Sequence, residues 1–386
     1  MFSGWILMIG IVSRPDTRQK LEILSADAQY DLACACGCSR DQHRRRGTDG
    51  KWIYPVTLPN GGRSVLFKTL VSNVCNNDCK YCPLREQTDL RRCTLSPQET
   101  ARIFLHYYDR RKVFGLFLSS AVIGSPDAAM DRLNATAGIL RKRHKYRGYI
   151  HLKIIPGASD GAIEQAVSLA TAVSLNIETP GQANLAKLSQ KKKYISDIIE
   201  PMKLISGLTA PGSKYAGVKQ TTQFIVGAAG ETDAEIVKYM GALYTRLNMH
   251  RIYFSTYQKG LGDESLPGEQ LRPSNPADTF TREHRLYQVD FLLRRYGFKQ
   301  SDVVFDDRGN LPLTNDPKQA WANRHAERFP VNVNRASKFE LLTVPGLGPV
   351  TVSRILKERK IRRIRRIEEI AKVGLRLKKA SKYLVF

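Results

Sequence analysis

The sequence lacks any apolar run long enough to cross a lipid bilayer. Its longest apolar run covers residues 5–12, with no basic segment before it and no small-residue cleavage site after it. A membrane-spanning helix needs about twenty apolar residues, and a secretory signal needs the flanking features that are missing here. The sequence therefore predicts a cytoplasmic protein that does not bind membranes.

Acidic residues are scarce. The chain of 386 residues has 36 Asp and Glu against 61 Lys and Arg, which gives a formal net charge of +25. Such a surplus favours polyanionic partners, either nucleic acid or an anionic surface. The alternative is a basic protein whose charge serves only its solubility.

Cysteine is also scarce, and the few cysteines are clustered. Of seven in the chain, six form two groups and one stands alone. A cytosolic protein keeps its thiols reduced, so grouped cysteines indicate metal ligands rather than disulfides. The groups are Cys34, Cys36 and Cys38, and Cys75, Cys79 and Cys82; the isolated residue is Cys93.

Between residues 63 and 260, short apolar runs alternate with longer amphipathic stretches. This alternation predicts parallel β/α units and hence an α/β fold. Six strands fit a partial (β/α)6 TIM-like barrel better than a complete eightfold barrel. The six runs are residues 65–71, 114–120, 149–155, 172–177, 222–226 and 252–255.

Composition and turn residues divide the chain into four segments. Residues 1–62 have an irregular pattern, 63–300 cover the expected barrel, and 301–330 form a connection rich in Pro, Asp and Asn. Residues 331–386 are expected to form a small all-α domain. From residue 351 onward this last segment carries a net charge of +10.

The second cysteine group directly follows the first predicted strand. Barrel-like folds carry their chemistry at the C-terminal ends of the strands. Three thiolates, Cys75, Cys79 and Cys82, can hold three corners of a [4Fe-4S] cluster and leave one iron open, just as catalytic zinc keeps an open position. The alternative is a zinc knuckle with Cys93 as its fourth ligand.

The spacing C-x3-C-x2-C, with Tyr81 before the last cysteine, resembles the radical S-adenosylmethionine (SAM) superfamily. The resemblance implies an enzyme in which Cys75, Cys79 and Cys82 bind a [4Fe-4S] cluster and SAM chelates the open iron. An electron from a donor such as flavodoxin or ferredoxin would then cleave SAM to a deoxyadenosyl radical, chemistry that belongs to the cofactor.

The same resemblance implies a SAM pocket at the strand ends. Ser119 and Ser120 occupy the place of the family's Gly-Gly-Glu motif without its acidic residue. The other implied SAM-binding residues are Ser174, Asn176 and Glu178 after the fourth predicted strand, Gly227 and Gly230 after the fifth, and Tyr81 near adenine. Alternatively, polar strand ends are helix caps, such as a Thr232–Glu235 capping box, and Tyr81 is a packing aromatic.

The C-terminal segment resembles a helix-hairpin-helix. Its turn Pro345-Gly346-Leu347-Gly348 would bring backbone N–H groups and a helix N-terminus to a phosphate, with Arg354 nearby. A degenerate second copy covers residues 367–379, in which Arg376 stands at the position of a second glycine. A packing or protein-contact domain is the alternative.

The chain as a whole resembles radical SAM proteins associated with DNA modification and repair. The resemblance implies a nucleic-acid partner, DNA in preference to RNA, and a reacting nucleotide extruded from its stack. One alternative is a radical SAM enzyme that acts on RNA or on a nucleic-acid-associated protein. Another is a non-catalytic Fe–S protein that binds DNA and senses redox state.

The remaining cysteines keep several readings. Cys34, Cys36 and Cys38 could bind a second Fe–S cluster or a zinc, could supply a hydrogen atom or sulfur, or could be inert. Cys93 is a candidate for a catalytic radical relay, since it lies eleven residues beyond the last cysteine of the motif.

Overall fold

The computed structural model describes residues 15–28, 50–57, 62–270 and 277–386. The chain divides into two compact units. The described residues of the first unit are 15–28, 50–57, 62–77 and 84–173, and those of the second unit are 78–83, 174–270 and 277–386. Cys75 thus belongs to the first unit, and Cys79 and Cys82 belong to the second.

The first unit combines strands with the helices that connect them. β1 pairs antiparallel with β2, whereas β2, β3 and β4 pair in parallel. A π-helical turn, Ile139–Arg143, follows α3, and β5 (Ala172–Ser174) spans the boundary between the units. The other elements are α1 (Thr17–Asp27), β1 (Ile53–Thr57), β2 (Arg63–Leu70), α2 (Pro97–Asp109), β3 (Gly115–Ser119), α3 (Pro126–Gly138), β4 (Tyr149–Lys153) and α4 (Asp160–Leu169).

Serine caps set where three of these helices begin. Ser96, Ser125 and Ser159 each precede a helix, and each hydroxyl accepts a hydrogen bond from a backbone N–H of the first turn. Those N–H groups have no partner within the helix, so a side-chain cap stabilises the helix by about 1 kcal/mol. The local sequence therefore fixes the starts of α2, α3 and α4.

One face of the β1–β4 sheet packs against helices. Phe67 of β2 meets Phe104 of α2 edge to face, with ring centroids 6.1 Å apart. The strand register places Leu116 beside Phe67 and Ile150 beside Leu116, and all of these side chains are fully buried. Successive residues of a strand point to opposite faces, so the residues between them face the other side of the sheet.

The second unit continues the alternation of helices and strands. β6 pairs in parallel with β7. Helix α7 begins in a capping box in which Thr232 and Glu235 bond each other's backbone N–H groups, which confirms the cap expected from the sequence. The elements are α5 (Gly181–Leu188), a π-helical turn (Tyr194–Ile199), α6 (Glu200–Leu208), β6 (Lys219–Val226), α7 (Asp233–Leu247), β7 (Arg251–Thr256), α8 (Pro267–Gln270), α9 (Ala277–Phe291) and a second π-helical turn (Leu292–Tyr296).

The seven strands β1 to β7 lie in chain order in one sheet. A sequential order is typical of β/α barrels, whereas a doubly wound sheet reverses its order. The predicted α/β fold is confirmed, and the six predicted strands are β2 to β7. The irregular pattern predicted for residues 1–62 was wrong where α1 and β1 form. β1 is an edge strand with Pro55 at its centre, and proline weakens any strand pattern in the sequence.

The end of the chain forms short helices around a local core. The structure adds a two-residue parallel strand pair, β8 with β9, so the all-α prediction was wrong there because strands this short leave no pattern. The elements are 3₁₀ turns at Gln300–Asp302, Ala326–Arg328 and Ile367–Glu369, helices α10 (Pro317–Arg324), α11 (Lys338–Thr343), α12 (Pro349–Ile361) and α13 (Leu375–Ser381), and strands β8 (Val331–Asn332) and β9 (Leu384–Val385).

This local core consists of buried side chains that all come from residues 331–386. It includes Leu341 of α11, Val352 and Ile355 of α12, and Leu377 of α13. Among the described residues, none of the helices is long and apolar enough to span a membrane.

Candidate functional site

The first part of the cysteine loop is held by hydrogen bonds in the first unit. The N–H of Asn77 lies 3.4 Å from the sulfur of Cys75. The backbone N–H of Asn76 donates to the carbonyl of Val122 at 2.8 Å, and the side-chain oxygen of Asn76 accepts from the N–H of Gly124 at 2.9 Å. These bonds fix the residue after Cys75 against the loop that follows β3.

Arg92 organises the rest of that loop. Its guanidinium donates to the backbone carbonyls of Leu84 and Arg85 at 2.8 Å each and of Thr88 at 2.9 Å, and also to the carbonyl of Asn73. A planar guanidinium with five donors can join carbonyls that no regular element connects. This role could not be predicted from the sequence, because Arg92 belongs to no motif.

The second part of the loop, residues 78–83, is fixed to the segment after α5. Asp78 accepts the hydroxyl of Ser189 and the N–H groups of Gln190 at 2.8 Å and Lys191 at 3.4 Å. The N–H of Lys80 donates to the carbonyl of Leu188 at 2.8 Å. Asp78, which lies inside the cysteine motif, therefore positions residues 189–191, and Lys192 directly follows this segment.

Four polar side chains meet beside Cys79. Lys192 donates to the hydroxyl of Tyr81 at 3.0 Å and lies 3.5 Å from a carboxylate oxygen of Glu178. The Tyr81 hydroxyl donates to the same carboxylate oxygen at 2.8 Å, and the amide of Asn176 donates to the other at 3.4 Å. The structure thus brings together three residues predicted to bind SAM and adds Lys192, which sequence reasoning missed.

The charges in this cluster support one another. Burial lowers the pKa of Lys192, but the neighbouring Cys79, which the amine also contacts, and Glu178 outweigh burial and raise this pKa overall. Burial, Cys79 and Glu178 raise the pKa of Tyr81. Lys192 therefore stays cationic beside the thiol of Cys79, and Tyr81 stays a hydrogen-bond donor.

The backbone of Glu178 is unusual. Its φ of +65° lies in the left-handed region, where residues other than glycine are uncommon. Its N–H donates to Gln223 at 3.0 Å and its carbonyl accepts from Ile225 at 2.7 Å, so β6 holds the residue on both sides. Strain that neighbouring structure maintains is typical of functional positions.

The donor set around Cys79 suits a soft metal cluster with negative charge. Thiolate ligands carry that charge, and the buried ammonium of Lys192 compensates it. Among the described residues, no three His, Cys, Asp or Glu side chains lie close enough to coordinate a single metal ion. A cubane makes a different demand, because each thiolate binds a different iron.

Cys93 is not placed as the fourth ligand of a zinc knuckle. Its thiol lies 3.9 Å from the carbonyl of Lys20 on α1, and its N–H donates to Asn73 at 2.7 Å. Burial raises the pKa of the Cys93 thiol to about 11. Its candidacy as a radical relay stays a prediction.

The serines of the predicted SAM pocket lie at strand ends. Ser119 ends β3 and Ser174 ends β5, and both are buried. The Ser120 hydroxyl donates to the carbonyl of Ala121 at 2.8 Å. The contact of these serines with SAM stays a prediction.

The glycine-rich turn after β6 is organised by Glu231. Gly227 and Gly230 have φ of +91° and +76°, values that favour glycine. The buried carboxylate of Glu231 accepts the N–H groups of Gly227 and, at 3.1 Å, of Ala229. Burial raises the pKa of Glu231. These backbone donors are therefore occupied within the protein, whereas the turn itself keeps its predicted place.

Gly346 is required by packing within the C-terminal segment. Its φ is +92°, and a Cβ at this position would collide with the carbonyl oxygen of Arg376 in α13. The glycine thus allows the turn before α12 to pack closely on α13. Its predicted approach to a phosphate stays a prediction beside this structural role.

Gly348 and Gly374 occupy equivalent places. Each is the residue before a helix, α12 and α13 respectively, and neither helix has a side-chain cap. The expected alignment, with Arg376 at the position of the second glycine, was therefore wrong. Gly374 corresponds to Gly348, and Lys372 stands where the first hairpin has Gly346. The two hairpins can be aligned only from the residues at which α12 and α13 begin in the structure. The spacing of the glycines in the sequence does not determine this alignment.

Arg354 contacts protein as well as solvent. Its guanidinium donates to the carbonyl of Ile370 at 3.2 Å, and the side chain is otherwise exposed. Arg359, five residues further along α12, donates to the carbonyls of Ala336 at 2.6 Å and Val333 at 3.2 Å. Arg354 therefore remains available to a ligand at its exposed side, whereas Arg359 holds the segment together.

Comparison with known proteins supports the reading of the cysteine motif. The family model described as the Radical SAM superfamily matches residues 69–243, from the end of β2 into α7. Comparison with curated protein sequences finds no match. Cys34, Cys36 and Cys38 lie outside the described residues, so their predicted roles stay predictions.

Several solved structures are similar to this chain. HydG, a maturase of the FeFe-hydrogenase, has a TM-score of 0.43 and 12% identity over 56% of this chain and 48% of HydG. HydG from Carboxydothermus hydrogenoformans has 0.44 and 13% over 58% and 50%. Methylornithine synthase (PylB) has 0.44 and 14% over 57% and 61%. The chain spans about half the length of the HydG structures, and similarity at this level does not indicate a substrate.

Proposed function

We propose that the chain is a radical SAM enzyme that modifies or repairs a nucleotide in DNA, on the premise that residues 69–243 match the Radical SAM superfamily model. Members of this superfamily are enzymes that use a [4Fe-4S] cluster and SAM, and this property supports the proposal. The match leaves the reaction open. The substrate, the product and the electron donor, such as flavodoxin or ferredoxin, belong to the proposal.

The residues of the cysteine loop would hold the cofactors. Cys75, Cys79 and Cys82 would bind the cluster through their thiolates. When bound, the cluster and SAM supply an organic radical that removes a hydrogen atom from the substrate. Lys192 balances the thiolate charge beside Cys79, and Glu178 presents a carboxylate that Tyr81 and Asn176 orient for the polar groups of SAM.

The observation that carries the nucleic-acid substrate is the C-terminal segment. Two helices, α12 and α13, begin at Gly348 and Gly374 without side-chain caps. Residues 351–386 add a net charge of +10. Backbone N–H groups at a helix start together with dense positive charge suit phosphate. Such contacts position a nucleic acid without reading its sequence.

A substrate nucleotide would have to leave its stack. An enzyme that reacts with a base cannot reach the target atom inside a duplex, so it extrudes the nucleotide into a pocket. The C-terminal segment would hold the phosphate backbone while the radical SAM domain receives the extruded nucleotide. This division of labour places affinity in one segment and chemistry in the other.

The direct test is anaerobic incubation of the cluster-loaded enzyme with SAM, dithionite and defined DNA and RNA oligonucleotides. We expect release of 5′-deoxyadenosine, the product of SAM cleavage, together with a changed nucleoside in DNA. Mass spectrometry of the digested oligonucleotide detects the changed nucleoside. A changed nucleoside in RNA alone would move the proposal to RNA. Deoxyadenosine release with unchanged DNA and RNA would contradict a nucleic-acid substrate.

A further inference from the structure

A row of aromatic and cationic side chains crosses the first unit's sheet on the face opposite to α2. The ammonium of Lys68 lies 5.0 Å from the ring centroid of Tyr54 and 5.0 Å from that of Phe117. The ring centroids of Phe117 and His151 are 4.4 Å apart. We call these four residues the Lys68 row.

The strand register produces this row. Lys68 of β2 pairs with Phe117 of β3, and Phe117 pairs with His151 of β4. Residues paired in this way point to the same face of a sheet. The row therefore runs straight across three neighbouring strands, and Tyr54 adds the edge strand β1.

The row combines fixed and accessible surfaces. Lys68 and His151 are 4% and 7% exposed, whereas Tyr54 and Phe117 are only partly buried, although the neighbours of Phe117, Leu116 and Leu118, are fully buried. Phe117 is therefore partly accessible beside the buried cation of Lys68. A planar ligand with a polar edge requires such a pair, an aromatic surface and a hydrogen-bond donor next to it.

The ring of His151 is held in place from the side. The hydroxyl of Tyr149 lies 3.3 Å from Nδ1 of His151. Gly115 leaves room for Tyr149, since a Cβ at position 115 would lie 2.8 Å from the Cβ of Tyr149. The geometry of the row is therefore set by its surroundings before any ligand binds.

The row lies directly below the reactive end of the sheet. Lys68 comes two residues before Leu70, where β2 ends and the chain leads to Cys75. Ser119, a predicted SAM-binding residue, comes two residues after Phe117 on the same strand and the same face. A ligand on the row would thus sit one layer below the strand ends that are expected to hold SAM.

We propose that the Lys68 row is the pocket for the reacting base and that it selects a base with a carbonyl oxygen. The base would stack on Phe117 beside His151, and its carbonyl oxygen would accept a hydrogen bond from Lys68. Aromatic side chains stack on any base, whereas a lysine donates to a carbonyl acceptor such as O6 of guanine, which adenine lacks. This inference rests on the proposed function and adds the chemistry of the base.

The first experiment measures nucleoside binding to the cluster-loaded enzyme in the presence of SAM. Free nucleosides carry no phosphate, so the C-terminal segment does not contribute. At least one of deoxyguanosine, thymidine and deoxycytidine should bind about tenfold more tightly than deoxyadenosine, which lacks a carbonyl oxygen on its base. If no nucleoside binds, or if deoxyadenosine binds best, the proposal is wrong.

Variants then separate the two contacts. Lys68→Met keeps the length and apolar stem of the side chain, and it should reduce the preference for the carbonyl base to about onefold. Phe117→Leu should weaken all nucleosides about tenfold without changing their ranking. Lys142→Met, an exposed lysine after α3, is the matched control and should change neither quantity. Lys68→Arg should restore the preference.

Two results distinguish this inference from the proposed function. If Lys68→Met abolishes the nucleoside preference but no oligonucleotide is modified, the pocket stands and the nucleic-acid proposal fails. If DNA is modified and Lys68→Met and Phe117→Leu bind and react like the unaltered enzyme, the pocket assignment fails alone. Circular dichroism of each variant should show an unchanged fold.

Discussion

At the residue scale, the buried contact between Lys192 and Glu178 lies at the centre of the candidate site. Both side chains are less than one tenth exposed, and Lys192 also contacts Tyr81 and Cys79. Removing one partner of a buried ion pair leaves the other charge without compensation, which is more costly than removing both. The energetic role of this pair can therefore be isolated by a double-mutant cycle.

Lys192→Met should lower the free energy of unfolding of the cluster-free protein by about 3 kcal/mol, because Glu178 stays buried without its cation. Glu178→Gln combined with Lys192→Met should cost clearly less than the sum of the two single substitutions. Urea denaturation measures all three values, with the exposed Lys193→Met as control. Additive costs would show that the two side chains do not interact.

The thiols provide a second test at this scale. Protein reconstituted anaerobically should bind about four irons per chain if Cys75, Cys79 and Cys82 hold one cubane. Replacing any of these three by Ala should abolish SAM cleavage, whereas Cys93→Ala should retain both iron and cleavage. Iron analysis and deoxyadenosine release measure the two effects. Zinc without iron in freshly isolated anaerobic protein would rule out the cluster, and about eight irons would indicate a second cluster.

At the scale of elements, the two glycines of the first hairpin differ in whether the structure would accept a side chain at their positions. Gly346 lies in a left-handed conformation against the backbone of α13. Gly348 has φ of −113°, and a Cβ there would lie 3.5 Å from the hydroxyl of Tyr296, an ordinary contact. A side chain is therefore excluded at the first position and accepted at the second. A substitution at Gly348 can therefore test nucleic-acid binding without disturbing the fold, whereas a substitution at Gly346 cannot.

Gly348→Asp should leave the fold intact, because aspartate is a good N-cap and changes stability by at most about 1 kcal/mol. It should weaken DNA binding about tenfold, because its carboxylate repels a phosphate at the start of α12. Gly348→Ser, a neutral cap, is the matched control and should bind more tightly than the aspartate variant. Thermal melting and DNA titration measure both quantities; equal affinities of the two variants would exclude phosphate at this helix start.

Gly346→Ala, at the other glycine of the hairpin, is expected to change the stability of the fold. The added Cβ meets the carbonyl of Arg376, and alanine tolerates the left-handed backbone poorly. We expect a loss of stability of about 2 kcal/mol, at the level of other strained substitutions. A melting temperature equal to that of the unaltered protein would show that α13 moves away without cost.

At the scale of the whole molecule, the positive charge is unevenly distributed, with a net +10 over residues 351–386. Deleting this segment would also disturb folding, since Lys379 donates to the carboxylate of Asp316 at 2.9 Å and Tyr383 packs edge to face against Phe329 with ring centroids 5.0 Å apart. Neutralising exposed arginines leaves these contacts in place and tests the charge directly.

Arg362→Gln with Arg363→Gln should weaken nucleic-acid binding similarly across different sequences. The slope of the logarithm of affinity against the logarithm of salt concentration should become shallower by about one to two, since each phosphate contact contributes about 0.9. Lys142→Gln with Arg143→Gln removes the same exposed charge from the first unit. Equal effects of both pairs would mean that net charge, rather than the C-terminal segment, governs binding.

The sequence by itself determined the features that depend on residues close together in the chain. The spacing of Cys75, Cys79 and Cys82, the alternation of strands and helices, and the Thr232–Glu235 cap are all local, so their chemistry can be read without a fold. The same local signals missed β1, because Pro55 interrupts its pattern, and misaligned the second hairpin, because Gly374 can be matched to either glycine of the first.

Only the tertiary structure decided which distant residues share a site. Lys192 is separated by 110 positions or more from Tyr81 and Cys79, and it reaches them because Asp78 binds the segment before it. Lys68, Phe117 and His151 belong to no motif and meet because the register of three strands aligns them. A register is fixed by packing across the whole sheet, and for that reason these residues remained invisible in the sequence.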